Sequence, residues 1–374
     1  MLRLFDETDP TFLVPSNILA PERNIGSPDR GRVLIINTRS YESDLLDADE
    51  HAEADPKHFF LRMLSENDDL HKDGVPPFDV AQMDDLKLSI DQSPEDWVKL
   101  ARLIQQNYLR YDGFVVQSGS DNMVTTATAL SFMLENLGKP VIFTGSLIPA
   151  NRIYTDMKRN IILALFFAMC NQISEVCIQF DEKLFRANRT IKTSRCSLMP
   201  YDSPNFPPLA AMHSGAMAVY KPLLRPHPHG KLRVMPAMKE KVLLLQLGPS
   251  AAEPAIMRAA IRNSKARGLV LLCYGSGNGP TRGDFTQDLI KEALDKDMVV
   301  VICTQNRYGS VDLAEYEAGR QLMEAGAVSA GDMTHEATMF KLKYLFGLGL
   351  TSRQVRKYLV RDLRGELTQR TARL

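Results

Sequence analysis

Ser118-Gly119-Ser120-Asp121 is the part of this sequence best equipped for chemistry. It closes the apolar run Gly113 to Gln117 and leads into a helical stretch from about Asp121 to Asn136. A strand-end turn that opens a helix offers free backbone N–H groups and the positive end of the helix dipole. A hydroxyl beside a carboxylate at such a turn suits a small ligand bearing a carboxylate or an amide. Ser and Asp are also preferred helix caps, so the pattern alone fits a structural role somewhat better than a ligand site. Thr144-Gly145-Ser146 makes a second strand-end turn of the same kind. Asn188-Arg189-Thr190-Ile191-Lys192 is a polar loop after a strand, where a lysine is ordinarily a solvated charge. Tyr274 to Pro280 is glycine-rich but lacks GxGxxG spacing, which does not support a dinucleotide site.

The elements that must carry these turns read as α/β. Val33-Leu34-Ile35-Ile36 is a buried parallel strand by composition, and the turn after it is Thr38-Arg39-Ser40-Tyr41-Glu42. Phe78 to Met83 is a weaker strand. Ser93-Pro94-Glu95-Asp96 opens a helix, with Ser93 as its cap and Pro94 in the first turn. Strands at Gly113–Gln117, Val141–Thr144 and Val176–Ile178 alternate with helices, the pattern of a parallel sheet. A second α/β set begins at Lys241, with strands near 269–274 and 299–304. The expected organisation is an irregular extension over 1–30, an N-terminal domain over 31–221, a linker over 222–240 and a C-terminal domain over 241–374. The linker expectation rests on PLLRPHPHGKLRVMP.

Bulk composition excludes several classes. The 374 residues are 44% hydrophobic and 24% charged, an ordinary globular balance, and zero net charge gives no field for nucleic acid or a membrane surface. No apolar run reaches the length of a membrane span, and the early acids Asp6, Glu7 and Asp9 argue against a targeting peptide. The five cysteines form no CxxC pair and read as buried free thiols of a reducing compartment. No HExxH is present, and neither a metal nor a cofactor is expected. Charge is uneven locally. Glu42 to Asp55 holds seven carboxylates without Lys or Arg, and Ser352 to Leu374 holds seven basic residues against two acidic ones.

Taken together, YDGFVV, ATALSFMLENLGKPVIFTGS, LFRANRTIK, SPNFPPL, YGSGNGP, AGDMTHEAT, KLKYL and RDLRGELT resemble, in order and spacing, the bacterial-type L-asparaginases. The likeness is strongest to the cytoplasmic type I branch and its animal relatives, and it covers nearly the whole chain from Arg32 onward. It implies a larger N-terminal parallel-sheet domain, a smaller C-terminal α/β domain, an aspartate- or asparagine-like ligand, and active sites between subunits of a homodimer or homotetramer. The family uses a threonine nucleophile in a TGGTI turn. A second Thr-Asp centre lies in an HGTDTM turn, backed by a lysine from an NRTTK-like loop, and a serine binds the substrate carboxylate. Carried over by motif, Ser120 and Asp121 match the Thr-Asp pair, Lys192 the lysine and Ser89 the carboxylate-binding serine. Ser118 and Gly119 complete the expected ligand contacts.

The departures are concentrated in the first centre. Tyr41 stands at the position of the nucleophilic threonine, and Arg39 and Ser40 replace two glycines. The phenol oxygen of a tyrosine lies several Å beyond a threonine hydroxyl, whereas reacting atoms must meet at about 3–3.5 Å. Tyr41 is therefore expected to fill the ligand pocket instead. The family's HGTDTM histidine is Ser118, its TGSQ glutamine is Leu147, and its lid has become the acidic run, expected to stay open and solvated. The preferred reading is a cytoplasmic asparaginase-fold protein with little or no amide hydrolysis, acting as a ligand-binding or regulatory subunit. The alternatives are a slow amidohydrolase with Ser120 as nucleophile and a structural component of a larger assembly.

Overall fold

The computed structural model describes residues 11–15, 31–41, 56–214, 216–248, 254–280 and 284–369. The acidic run, and the expectation placed on it, lie outside these. The chain divides into two compact units, residues 1–202 with 208–234, and residues 203–207 with 235–374.

In the first unit the elements follow as β1 (Thr11–Pro15), β2 (Val33–Arg39), α1 (Pro56–Ser65), β3 (Phe78–Lys87), α2 (Pro94–Asn107), β4 (Gly113–Gln117) and α3 (Met123–Met133). Next come β5 (Leu134–Glu135), β6 (Val141–Thr144), α4 (Met157–Ala168), β7 (Val176–Phe180), β8 (Lys183–Arg186), β9 (Ile191–Lys192) and β10 (Tyr201–Asp202). The unit closes with β11 (Ala210–His213), β12 (Ala216–Val219) and β13 (Arg233–Val234). Among the described residues, nine of these strands form one sheet in the order β1-β3-β2-β4-β6-β7-β8-β11-β12. Strands β3, β2, β4, β6 and β7 run parallel, whereas β1 and the β8-β11-β12 end pair antiparallel. The central strands are apolar on both faces because helices cover both. Val33 to Ile36, Phe114 to Val116 and Val141 to Phe143 are each 0% exposed.

From β2 the chain passes to β3 on one side, then returns to β4 on the other side of β2. The order reverses there, and such a switch point opens a crevice at the carboxyl ends of the strands.

Three expectations need correction. The extension read as irregular contributes an edge strand, since Thr11–Pro15 pairs with Asp79–Met83. The stretch read as a linker belongs to the first unit as far as Val234. Within it β13 pairs with β5, and Ser174 Oγ lies 2.9 Å from His227 Nδ1. All five cysteines are free, but Cys196 is exposed and Cys170 half-buried; only Cys177, Cys273 and Cys303 are buried as expected.

The second unit contains β14 (Val242–Gln246), α5 (Pro254–Asn263), β15 (Gly268–Cys273), α6 (Phe285–Asp295) and β16 (Val299–Thr304). It ends with α7 (Glu317–Glu324), β17 (Val328–Ser329), α8 (His335–Gly347) and α9 (Ser352–Leu359). Its four described strands form a parallel sheet in chain order. Leu269, Leu271, Val300 and Ile302 pack there against Ile261, Leu289 and Ile290. One ion pair is wholly buried in this unit: Lys341 Nζ lies 2.6 Å from Glu366 Oε1, both side chains being 0% exposed.

Candidate active site

Four neighbouring parallel strands deliver their following turns to one crevice of about 290 Å³. Arg39 and Ser40 come from the end of β2, and Leu88, Ser89 and Ile90 from the segment after β3. Gly119, Ser120 and Asp121 follow β4, whereas Ser146, Leu147 and Pro149 follow β6.

The turn after β4 is not a helix cap. The residue capping α3 is Asn122, and its side chain makes no cap bond but donates to Ser89 O at 2.6 Å. Ser120 and Asp121 are instead engaged by Lys192, whose Nζ lies 3.1 Å from Ser120 Oγ and 2.7 Å from Asp121 Oδ1. This lysine is not a free surface charge, since its side chain is 23% exposed. The Asp121 side chain is 64% exposed, so the pair contributes little to stability, about 0–1 kcal/mol. Positioning is a better account of it than stability.

Lys192 is aimed by a short hairpin in which β9 pairs with β10, Tyr201 standing opposite Lys192. The Tyr201 hydroxyl donates to Ser120 O at 2.7 Å, which ties the hairpin to the β4 turn. Burial, and after it the Asp121 charge, push the Tyr201 phenol up, so it stays a donor at any ordinary pH. No local sequence pattern marks Tyr201, because its role depends on the pairing of β9 with β10 and on the distant Ser120 carbonyl. Gln92 was missed for the same reason. It donates to Thr38 O at 3.2 Å and accepts from Thr126 Oγ1 at 3.1 Å, linking the β2 turn to α3.

Ser89 opens a 3₁₀ turn, Ser89–Asp91, and lies against Gly119 in the crevice wall. Gly145 is needed for a similar reason, since a Cβ there would fall 2.4 Å from Ser118 O. Asp156 holds the β6 turn from below, accepting from Leu147 N at 3.1 Å and Ile148 N at 3.0 Å.

Two expected residues sit elsewhere. Ser118 is 0% exposed, its hydroxyl donates to Gly119 O at 3.2 Å, and it is absent from the crevice lining. Tyr41 does not fill the pocket. Its ring is 0% exposed and stacks on Phe60, with centroids 5.7 Å apart and planes 10° apart, and it meets Phe59 at 5.3 Å. Aromatic stacking on α1 offers a large apolar residue more burial than a polar crevice does. Arg39 takes the crevice side, its guanidinium 4.5 Å over the Tyr41 ring.

Among the described residues no cluster of three or more His, Cys, Asp or Glu is arranged to hold a metal ion, and no helix is long and apolar enough to cross a membrane.

Fold and crevice are those of α/β proteins that hold small molecules at a sheet's switch point. Residues 48–225 match the family described as Asparaginase, N-terminal, and residues 241–359 match the Glutaminase/Asparaginase C-terminal domain. L-asparaginase 1 of Escherichia coli (strain K12) is 39% identical over 307 residues, 82% of this chain and 90% of that protein. The 60 kDa lysophospholipase of Homo sapiens is 40% identical over 283 residues, 75% of this chain and 48% of that longer protein. The crystal structure of L-asparaginase I from Vibrio cholerae superposes with a TM-score of 0.80 at 31% identity, covering 91% of this chain and all of that one. The chain belongs to the asparaginase family.

Proposed function

We propose that this protein binds an aspartate- or asparagine-like ligand in the switch-point crevice and has lost most or all of the family's amide hydrolysis. The observation that carries this reading is the burial of Tyr41. At the position where the family resemblance puts the nucleophilic threonine, the side chain turns into the core against Phe59 and Phe60 and offers no hydroxyl to the crevice. The binding half supports ligand recognition, since Ser89, Gly119, Ser120 and Asp121 line one wall. An exposed carboxylate at Asp121 suits a ligand ammonium, and the Ser89 hydroxyl suits a ligand carboxylate.

A second reading is favoured by one distance. Lys192 Nζ lies 3.1 Å from Ser120 Oγ, within reach of proton transfer, so Ser120 is the candidate nucleophile of a slow amidohydrolase. By the same family resemblance the protein is read as a cytoplasmic homo-oligomer.

Thermal melts test the binding claim. L-aspartate at a hundredfold excess over its Kd adds about 2.7 kcal/mol to a protein that binds it, which raises the Tm by a few degrees. Lys192→Ala is expected to abolish that rise. A wild-type Tm insensitive to millimolar L-aspartate contradicts the reading.

A further inference from the structure

An aspartate-type site accounts for the polar wall of the crevice but not for its opposite wall. Ser146 lines the crevice and is only 6% exposed, and its hydroxyl has no hydrogen-bond partner among the described residues. A buried hydroxyl without a partner costs about 1–3 kcal/mol, a penalty relieved when a bound molecule supplies the missing acceptor. Parallel pairing sets Gln117 opposite Thr144, and Ser118 N donates to Thr144 O at 3.0 Å. The turns carrying Ser120 and Ser146 therefore leave adjacent strand ends side by side. Both hydroxyls line the same crevice.

What lies beyond Ser146 is apolar. Leu147 and Pro149 follow Ser146 along the turn and line the same crevice. The N–H groups of Leu147 and Ile148 are both taken by Asp156, so neither is free to donate to a ligand carbonyl in place of Ser146.

We infer that the crevice selects amino-acid ligands whose side-chain carbonyl carries an alkyl group, such as an N-alkyl amide of aspartate. Ser146 Oγ donates to that carbonyl, and Leu147 and Pro149 cover the alkyl group. The inference rests on the aspartate-site reading above and adds the substituent that the site prefers.

Calorimetric titration of the full chain with L-aspartate, L-asparagine and the side-chain N-propyl amide of L-aspartate tests it. Covering a propyl group, at about 0.8 kcal/mol per buried CH₂, is expected to make the propyl amide at least tenfold tighter than L-asparagine. Leu147→Gln is expected to remove that preference, and Ser146→Ala to weaken the propyl amide at least fivefold. Equal wild-type affinities for asparagine and the propyl amide overturn the inference, as does an unchanged propyl-amide affinity in Ser146→Ala. If aspartate binds and the propyl amide binds no better than asparagine, the substituent preference falls while the aspartate site stands. If none of the three binds, both fall.

Discussion

Gly119 approaches Ser89 so closely that a Cβ on it would lie 2.6 Å from Ser89 Oγ and 2.7 Å from Ser89 Cβ. Real side chains do not pack at such distances, so Gly119→Ala must displace one of the two turns. Ser89 has little room to yield, since Asn122 Nδ2 holds its carbonyl at 2.6 Å. Gly119→Ala is expected to cost about 1–3 kcal/mol by overpacking and to weaken L-aspartate binding at least tenfold. Urea unfolding and calorimetry measure the two effects. Wild-type affinity in this variant would mean that Ser89 is not a ligand contact.

Tyr41 is expected to behave as a core residue. Tyr41→Ala removes a fully buried ring from Phe59 and Phe60 and should cost about 3–5 kcal/mol in urea unfolding. Where slow ammonia release is measurable, Tyr41→Phe leaves it intact and Ser120→Ala abolishes it. The reverse pattern would make the Tyr41 phenol the reacting group.

The buried pair in the second unit predicts a pH dependence. Burial alone would push the Glu366 carboxyl up. The Lys341 ammonium and the backbone N–H of Arg364 outweigh it and hold the carboxyl below its usual 4.5. A carboxyl depressed in the folded state contributes stability fully above its unfolded pKa and loses that contribution as pH falls through the folded value. Stability carried by this pair is therefore constant near neutrality and declines below about pH 4.5. Lys341→Met leaves a carboxylate buried without its cation and should cost about 3–5 kcal/mol at pH 7, with a smaller deficit in acid. Equal losses at pH 7 and pH 4 would contradict the assignment.

A homodimer or homotetramer is expected in solution at micromolar concentration. Subunit interfaces rest on packing surfaces, and the proposed loss of hydrolysis concerns only a strand-end turn, Arg39 to Tyr41. Sedimentation equilibrium reads the mass directly, and a monomer would contradict the expectation.

Much of this architecture is legible along the chain. β2, β4 and β6 are near-continuous apolar runs because helices cover both faces of a parallel sheet, and that composition survives without any tertiary information. The capping box of α2, in which Asp96 Oδ2 accepts from Ser93 N at 2.8 Å, is equally local. The site itself divides. Ser120 and Asp121 stand out at a strand end, yet local pattern could not separate ligand contacts from caps. Asn122 takes the cap position, and only the distant Lys192 gives the other two their partner. Tyr201, Gln92 and the unpartnered hydroxyl of Ser146 depend on pairings across dozens of residues, which leave no periodicity behind. The direction of the Tyr41 side chain left no local signal, because the aromatic shelf that receives it lies on α1. The stretch before Val234 has a linker's composition, and a two-residue pairing with β5 attaches it to the sheet domain.

Ammonia release from L-asparagine by the wild-type protein, followed at high enzyme concentration, decides whether hydrolysis has been lost. Turnover far below the roughly 1–10³ per second of ordinary enzymes is expected, because the Tyr41 side chain is directed into the core. Turnover within that range would contradict it.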